Sequence, residues 1–455
     1  MMIERNSTIL TETIKRLLRR NAITHLAKIV SKTHAADLSQ IFRVISLSDQ
    51  KKIFNLIDDP EKKGFLFSEL EGSTFHDFID GLPIDAIVEV IEHMPADDAA
   101  HLIDRLPEEK STLILEQMKD SESTEVEDLL CYSDGTAGRI MVTDFVALKE
   151  NLTAREAIEA FQQAHLDVEM PFYIYVVDDN KRLVGIISLR QLVVVKPETP
   201  LKEFMKTDIF SVRTDIDQEE VAKIVARYDI LAVPVVDEQN VLVGIVTVDD
   251  VIDIFRKEAT EDMLKMAGVG ETFVETQSVF RSIRIRLPWL FASCLGGIAV
   301  FFIIGGFEAS LARFACLAAF IPVITGMGGN VGTQSSTIVV RGIATGRFPV
   351  RNLWPVMLKE LVIGMILGII YGLFIGTVAQ VYFGGERGTL YFPVAVGLSV
   401  LCSMCLSAFV GSFFPIFFTR IHIDPAVATG PFVTTAIDIL SVSCYFKLAT
   451  TLMGI

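Results

Sequence analysis

Five long apolar stretches, at about 287–307, 311–340, 354–383, 391–419 and 425–452, constrain this chain more than any other feature. Each exceeds the roughly 20 residues that a bilayer-crossing helix requires. In lipid a backbone must satisfy its own polar groups, and continuous apolar stretches of this length do so as helices. Charge is divided the same way. Eight basic and five acidic residues follow position 286, which leaves before it 33 of the chain's 41 basic and 52 of its 57 acidic residues. An acidic half of this kind repels nucleic acid and anionic lipid and attracts cations; the alternative is that surplus acid merely keeps it soluble.

Lys and Arg alternate between the loops. Arg281, Arg284 and Arg286 precede the first stretch, Arg313 stands alone, Arg341, Arg347 and Arg351 follow, then Arg387 alone, then Arg420. The start Met1-Met-Ile-Glu-Arg lacks a signal peptide's apolar core. Both readings predict a multi-pass protein of the inner or plasma membrane, with its N-terminus cytoplasmic and its C-terminus outside. The six cysteines form no framework, and Cys402-Ser-Met-Cys405 inside a span is read as packing.

Within the soluble half, apolar residues recur at helical spacing from about 5 to 130. Helix starts are expected at Ser48-Asp-Gln, Pro83-Ile-Asp and Pro95-Ala-Asp-Asp, giving short hairpins that stack into a superhelix. An internal repeat follows. Val176-Val-Asp-Asp-Asn-Lys-Arg-Leu-Val-Gly-Ile matches Val235-Val-Asp-Glu-Gln-Asn-Val-Leu-Val-Gly-Ile, and Met141-Val-Thr-Asp matches Met205-Lys-Thr-Asp. Each copy reads strand, helix, strand, turn, strand, helix, with the turns at Asp178 and Asp237. This pattern resembles two copies of a CBS domain over about residues 138–256. Such tandems are regulatory modules that often bind adenosine nucleotides.

Asp438 lies deep in the fifth stretch, where a carboxylate costs roughly 2.5–3.5 kcal/mol and faces a bundle interior or aqueous path. That stretch offers no arginine or histidine to neutralise it. Pro431, Thr434, Asp438, Ser441 and Tyr445 form one helical stripe, as expected beside a water-lined pathway. For Thr434 and Ser441 the alternative is a hydroxyl bonded back to its own helix. The second stretch carries Gly326-Met-Gly-Gly-Asn-Val-Gly-Thr-Gln-Ser-Ser-Thr337. Its amides Asn330 and Gln334 share a face, and its glycines suggest breaks that expose carbonyls to a cavity. Glu360, beside Lys359, reads as an interfacial snorkelling pair.

Cytosolic acids gather around the second repeat. Asp215, Asp217, Glu219, Glu220, Asp229, Asp249, Asp250, Asp253, Glu258, Glu261 and Asp262 offer oxygen ligands suited to Mg²⁺ or Ca²⁺. Taken singly, each is a solvated residue or a helix cap. Glu258, Glu261 and Asp262 share a helical face, where divalent cations would relieve their repulsion. Asp424-Pro425 is expected to cap the fifth helix.

The whole order resembles the MgtE family of magnesium channels and transporters, on Gly328-Gly-Asn-Val-Gly-Thr-Gln334, Glu258-Ala-Thr-Glu-Asp262, and Asp424-Pro-Ala followed by Asp438. The resemblance implies a multidomain fold. An all-α superhelical N domain (1–137) precedes tandem α/β CBS domains (138–203 and 204–257), a plug helix (258–286) and an all-α five-helix transmembrane domain (287–455). It implies a homodimer with an axial Mg²⁺ pore, lined by Asp438, Thr434, Asn330, Gln334 and Ser441. Cytosolic Mg²⁺ would close that pore by binding among Asp98, Asp217, Glu219, Asp229, Asp250, Asp253, Glu258, Glu261, Asp262 and Asp424. ATP is a further candidate ligand, at Tyr173 and Arg190. Gln191 stands where ATP-binding members tend to have an acid, which counts against ribose-type contacts there. The rival readings are transport of Co²⁺, Ni²⁺ or Ca²⁺ on the same fold, and a membrane-anchored nucleotide sensor. With no phosphate loop, nucleophile–base pair or HExxH motif in the soluble half, no enzyme is expected.

Overall fold

A computed structural model describes residues 2–70, 72–163, 172–269, 279–348, 353–387, 391–428 and 430–454. Arg351 and the connecting residues 270–278 lie outside the described residues. The chain divides into two compact units, Met1–Arg256 and Lys257–Ile455.

The first unit opens with a long helix, Met2–Arg19, and continues in short ones. Helices Ile84–Ile91, Ala96–Asp104 and Glu108–Gln117 each follow a proline, at Pro83, Pro95 and Pro107. Proline's extended ψ sets the entry to each helix, and its carbonyl accepts the first helical bond, as in Ala99 N–H to Pro95 O at 2.9 Å. The start expected at Ser48 falls two residues earlier. Ser46 is the cap of Leu47–Phe54, accepting from the Asp49 amide at 3.3 Å. Phe42, Phe54, Phe67 and Phe78 interlock at the centre of this domain, with ring centroids 5.3–6.1 Å apart. The same core continues through Ala137 and Met141 to Val233 and Val246 of the second repeat.

Each repeat builds a three-stranded sheet. Strands β1 (Ala147–Lys149), β2 (Tyr173–Val177) and β3 (Leu183–Ser188) form the first, and β4 (Val212–Arg213), β5 (Ala232–Val236) and β6 (Leu242–Thr247) the second. In both, the first strand runs parallel to the second after a helical crossover, and a hairpin returns the third antiparallel. The turns close alike. Asp178 Oδ1 accepts from the amides of Asn180 and Arg182, and Asp237 Oδ1 from those of Gln239 and Val241, all at 2.8–2.9 Å. The copies then exchange bonds, Leu183 N–H to Asn240 O and Leu242 N–H to Lys181 O.

Helix Val248–Met266 follows β6 without a break at Lys257 and ends at Gly268, whose φ of +70° suits glycine. Among the described residues, five helices of the second unit are long and apolar enough to span a bilayer: Ser282–Gly306, Cys316–Ala344, Trp354–Phe383, Tyr391–Arg420 and Pro431–Met453. Three starts differ from expectation, the first span beginning at Ser282 rather than at about 287. A short helix, Glu308–Arg313, precedes the second span. The fifth begins at Pro431, because Pro425–Ala428 forms a separate 3₁₀ turn and Gly430 breaks the path between them. Asp424 therefore caps that turn, accepting from the Ala426 amide at 2.8 Å, and does not cap the long helix.

Candidate functional site

The second span is one unbroken helix, so its glycines open no carbonyls to a cavity. They permit close approach instead. A Cβ on Gly411 would stand 2.3 Å from the Gly332 carbonyl oxygen, and one on Gly332 would meet Ile437. Gly328 leaves room for a cluster of hydroxyls, since a Cβ there would lie 2.7, 2.9 and 3.1 Å from Ser403, Ser407 and Ser441 Oγ. This is the packing of small residues that brings spans two, four and five together in lipid.

The proposed pathway stripe separates under this packing. Ser441 is buried and accepts from Ser403 Oγ at 2.8 Å, and Tyr445 is buried with its hydroxyl donating to Leu317 O at 2.8 Å. Both tie helices together. Thr434 donates back to Gly430 O and Pro431 O, which is the alternative foreseen for it. Pro431 stands at the first turn of its helix, where proline frees no helical carbonyl. Asp438 is half-buried beside the buried Ile437, and no described side chain hydrogen-bonds or ion-pairs with it. Asn330 and Gln334 are exposed on the second span, with Thr333 and Thr337 on the same exposed face.

Glu360 corrects the snorkelling reading. It is 4% exposed and accepts from Ser335 Oγ at 2.9 Å, inside the bundle. Its neighbour Lys359 gave the sequence an apparent partner. Its burial follows from contact between the second and third spans, which no local pattern announced.

The cytosolic acids fall into three settings. In the first unit, Asp98 meets Asp249, Asp253 and Glu69. Burial first, and those three carboxylates next, push Asp98 up to about 6. Burial likewise lifts Asp250 to about 7; the Thr247 hydroxyl, donating at 2.6 Å, opposes this, while Asp249 and Asp98 add to it. Glu69 escaped sequence reasoning because it lies far away in the chain. Asp253 also pairs with Arg256 at 3.2 Å.

A second set has local roles. Asp217 caps helix Gln218–Tyr228 through the Glu219 amide at 2.8 Å, Glu219 pairs with Lys223 at 2.7 Å, and Asp229 ends that helix in a left-handed conformation. These three do not join the Asp98 group.

The third set lies within the second unit. Glu258, Glu261 and Asp262 share helix Val248–Met266 and are partly buried. Lys265, which sequence reasoning passed over, pairs with Glu261 and with Asp424 Oδ2, the latter at 2.7 Å. Among the described residues, no three His, Cys, Asp or Glu side chains form a ready-made metal cage. The unbalanced Asp98–Asp250 group fits a divalent cation by charge, and its oxygen donors fit Mg²⁺ held partly through its own water.

For the nucleotide reading, register places half-buried Tyr173 opposite Ser188, and exposed Arg190 lies in the first turn of helix Leu189–Val194. Gln191 Oε1 accepts from the Ser188 amide and hydroxyl in a capping box.

Comparison with known proteins agrees with this architecture. The divalent cation transporter family MgtE matches residues 321–448, the MgtE intracellular N domain matches 33–135, and CBS domains match 137–198 and 190–257. A magnesium transporter MgtE of Thermus thermophilus is 39% identical over 332 residues, 72% of each chain. One from Enterococcus faecalis is 37% identical over 329 residues, again 72% of each. The crystal structure of the soluble part of a magnesium transporter aligns with TM-score 0.51 and 30% identity, covering 56% of this chain and 99% of that one. The cytosolic domain of the Mg²⁺ channel MgtE, in complex with ATP, aligns with TM-score 0.51 and 32% identity, covering 54% and 99%. With an all-helical N domain, a CBS pair and five apolar helices in matching order, the chain belongs to the MgtE family of magnesium transporters, which move an ion and are not enzymes.

Proposed function

We propose that this transporter is a homodimeric Mg²⁺ channel, with Asp438 of each subunit facing its twin across an axial pore and cytosolic Mg²⁺ closing it. One observation carries the reading. Asp438 has no side-chain partner among the described residues, in a unit whose second span also exposes Asn330 and Gln334. A half-buried, unpartnered carboxylate and two exposed amides on one chain in lipid require a second protein surface or water to cover them. A carboxylate pair would hold a hydrated Mg²⁺ through its water shell, because that ion gives up water reluctantly. The soluble half lies in the cytosol and the C-terminus outside, following the loop charges.

Closure would use the repelling acids. Mg²⁺ among Asp98, Asp249, Asp250 and Asp253 favours the arrangement that brings them together, and its loss favours separation. ATP, present in the similar cytosolic domain, would meet the first repeat at Tyr173 and Arg190. In proteoliposomes, Asp438→Ala is expected to abolish Mg²⁺ uptake, and wild-type flux in that variant would sink the pore assignment. A panel of Mg²⁺, Co²⁺, Ni²⁺ and Ca²⁺ in the same assay ranks the ions.

A further inference from the structure

Lys265 lies in the last turn of helix Val248–Met266, with its ammonium against both Glu261 and Asp424. Its side chain is only 24% exposed, Glu261 15% and Asp424 35%, so solvent screens this bridge incompletely. The helix end is seated sterically at the same place. A Cβ on Gly430 would stand 2.7 Å from the Met266 carbonyl, and one on Gly268 2.9 Å from the Pro431 ring. Lys265 thus supplies the charge in a contact that places the connecting helix against the turn opening the fifth span. Its two partners are carboxylates that the family resemblance implies for a regulatory divalent cation.

We infer that Lys265 is a gating residue that acts as an internal cation. It holds the connecting helix on the fifth span without a divalent ion, and cytosolic Mg²⁺ competes with it for Glu261 and Asp424. An ammonium and Mg²⁺ both neutralise the two acids, and they cannot share one small space between them. The bound lysine therefore gives the docked state a Mg²⁺-independent share of its stability and lessens how far added Mg²⁺ can shift it. Removing the charge reverses both effects: Glu261 and Asp424 repel in the absence of Mg²⁺ and accept the ion more readily in its presence. The gating meaning of this contact rests on the channel reading above, whereas the competition itself does not.

The test is amide hydrogen exchange of residues 258–268 and 424–434 in the full-length protein in lipid nanodiscs, in EDTA and at saturating Mg²⁺. In EDTA, Lys265→Gln is expected to exchange roughly fivefold or more faster than wild type across both segments. Saturating Mg²⁺ should restore wild-type protection, and Lys265→Arg should behave as wild type in both conditions. Equal exchange of Lys265→Gln and wild type in EDTA would overturn the proposal. So would a Lys265→Gln protein left unprotected at saturating Mg²⁺, since Mg²⁺ would then be unable to replace the lysine. Exchange needs no ion flux, which separates the two ideas. Wild-type flux insensitive to cytosolic Mg²⁺ defeats the channel-gating reading alone, and unchanged exchange beside Mg²⁺-inhibited flux defeats the Lys265 proposal alone.

Discussion

Ser335 donates a 2.9 Å hydrogen bond to Glu360, joining the second span to the third through a carboxylate that is 4% exposed. Ser335 directly follows Gln334 in the polar segment of the second span, so this bond fixes the rotation of the helix that presents Asn330 and Gln334.

Glu360→Gln keeps an acceptor for Ser335 and should fold and transport normally. Glu360→Ala leaves the hydroxyl unpaired beside a cavity, and should cost about 1–3 kcal/mol. Thermal unfolding of the detergent-solubilised protein checks this, and equal losses for the two variants would show that the hydrogen bond is not what matters.

Gly411 provides a backbone test. Its absent Cβ would meet the Gly332 carbonyl at 2.3 Å, and neither backbone can yield without separating spans two and four. Gly411→Ala should therefore destabilise by about 1–3 kcal/mol. Gly329→Ala, with nothing within 4 Å of its Cβ position, should be neutral by the same unfolding measurement.

The Asp98–Asp250 group predicts a pH effect of definite sign. Folding raises the pKa of Asp98 to about 6 and of Asp250 to about 7, above the usual carboxylate range. Between pH 4 and those values the folded state binds more protons than the unfolded one, so stability is greatest at the acid end and falls as pH rises. In EDTA, the melting temperature should drop by about a few degrees from pH 5 to pH 8 through this group. Mg²⁺ should shrink that drop, and Asp98→Asn with Asp250→Asn should remove most of it. A profile unaffected by the double substitution would place the proton uptake elsewhere.

Legibility in the sequence differed by element. The repeat was readable because both copies solve one local problem: an aspartate closes each turn, and β-branched runs flank it. Its consequence in space was less visible. Met141 lies against Gly244 and Met205 against Gly185, so a Cβ on either glycine would meet methionine sulfur at 2.4–2.6 Å. Each upstream Met-x-Thr-Asp segment thus packs on a sheet, the first on the sheet of the second copy. The glycines of the second span carried a correct signal, small size, to an incorrect conclusion. Close approach and a broken helix demand the same residue, and only the neighbouring helix distinguishes them.

The sequence alone determined the five spans, the paired repeats and the cost of Asp438. Apolar length, alternation and charge act within one segment, and water or lipid answers them locally. Tertiary structure decided what each polar group faces. It buried Glu360 and Ser441, gave Asp217 and Glu219 to local helix ends and ion pairs, gathered Asp98 with Asp250, and set Lys265 between Glu261 and Asp424. Electrostatic partners act through a few ångströms of space, and that distance can join residues far apart in the chain, as it joins Lys265 to Asp424 across 159 positions.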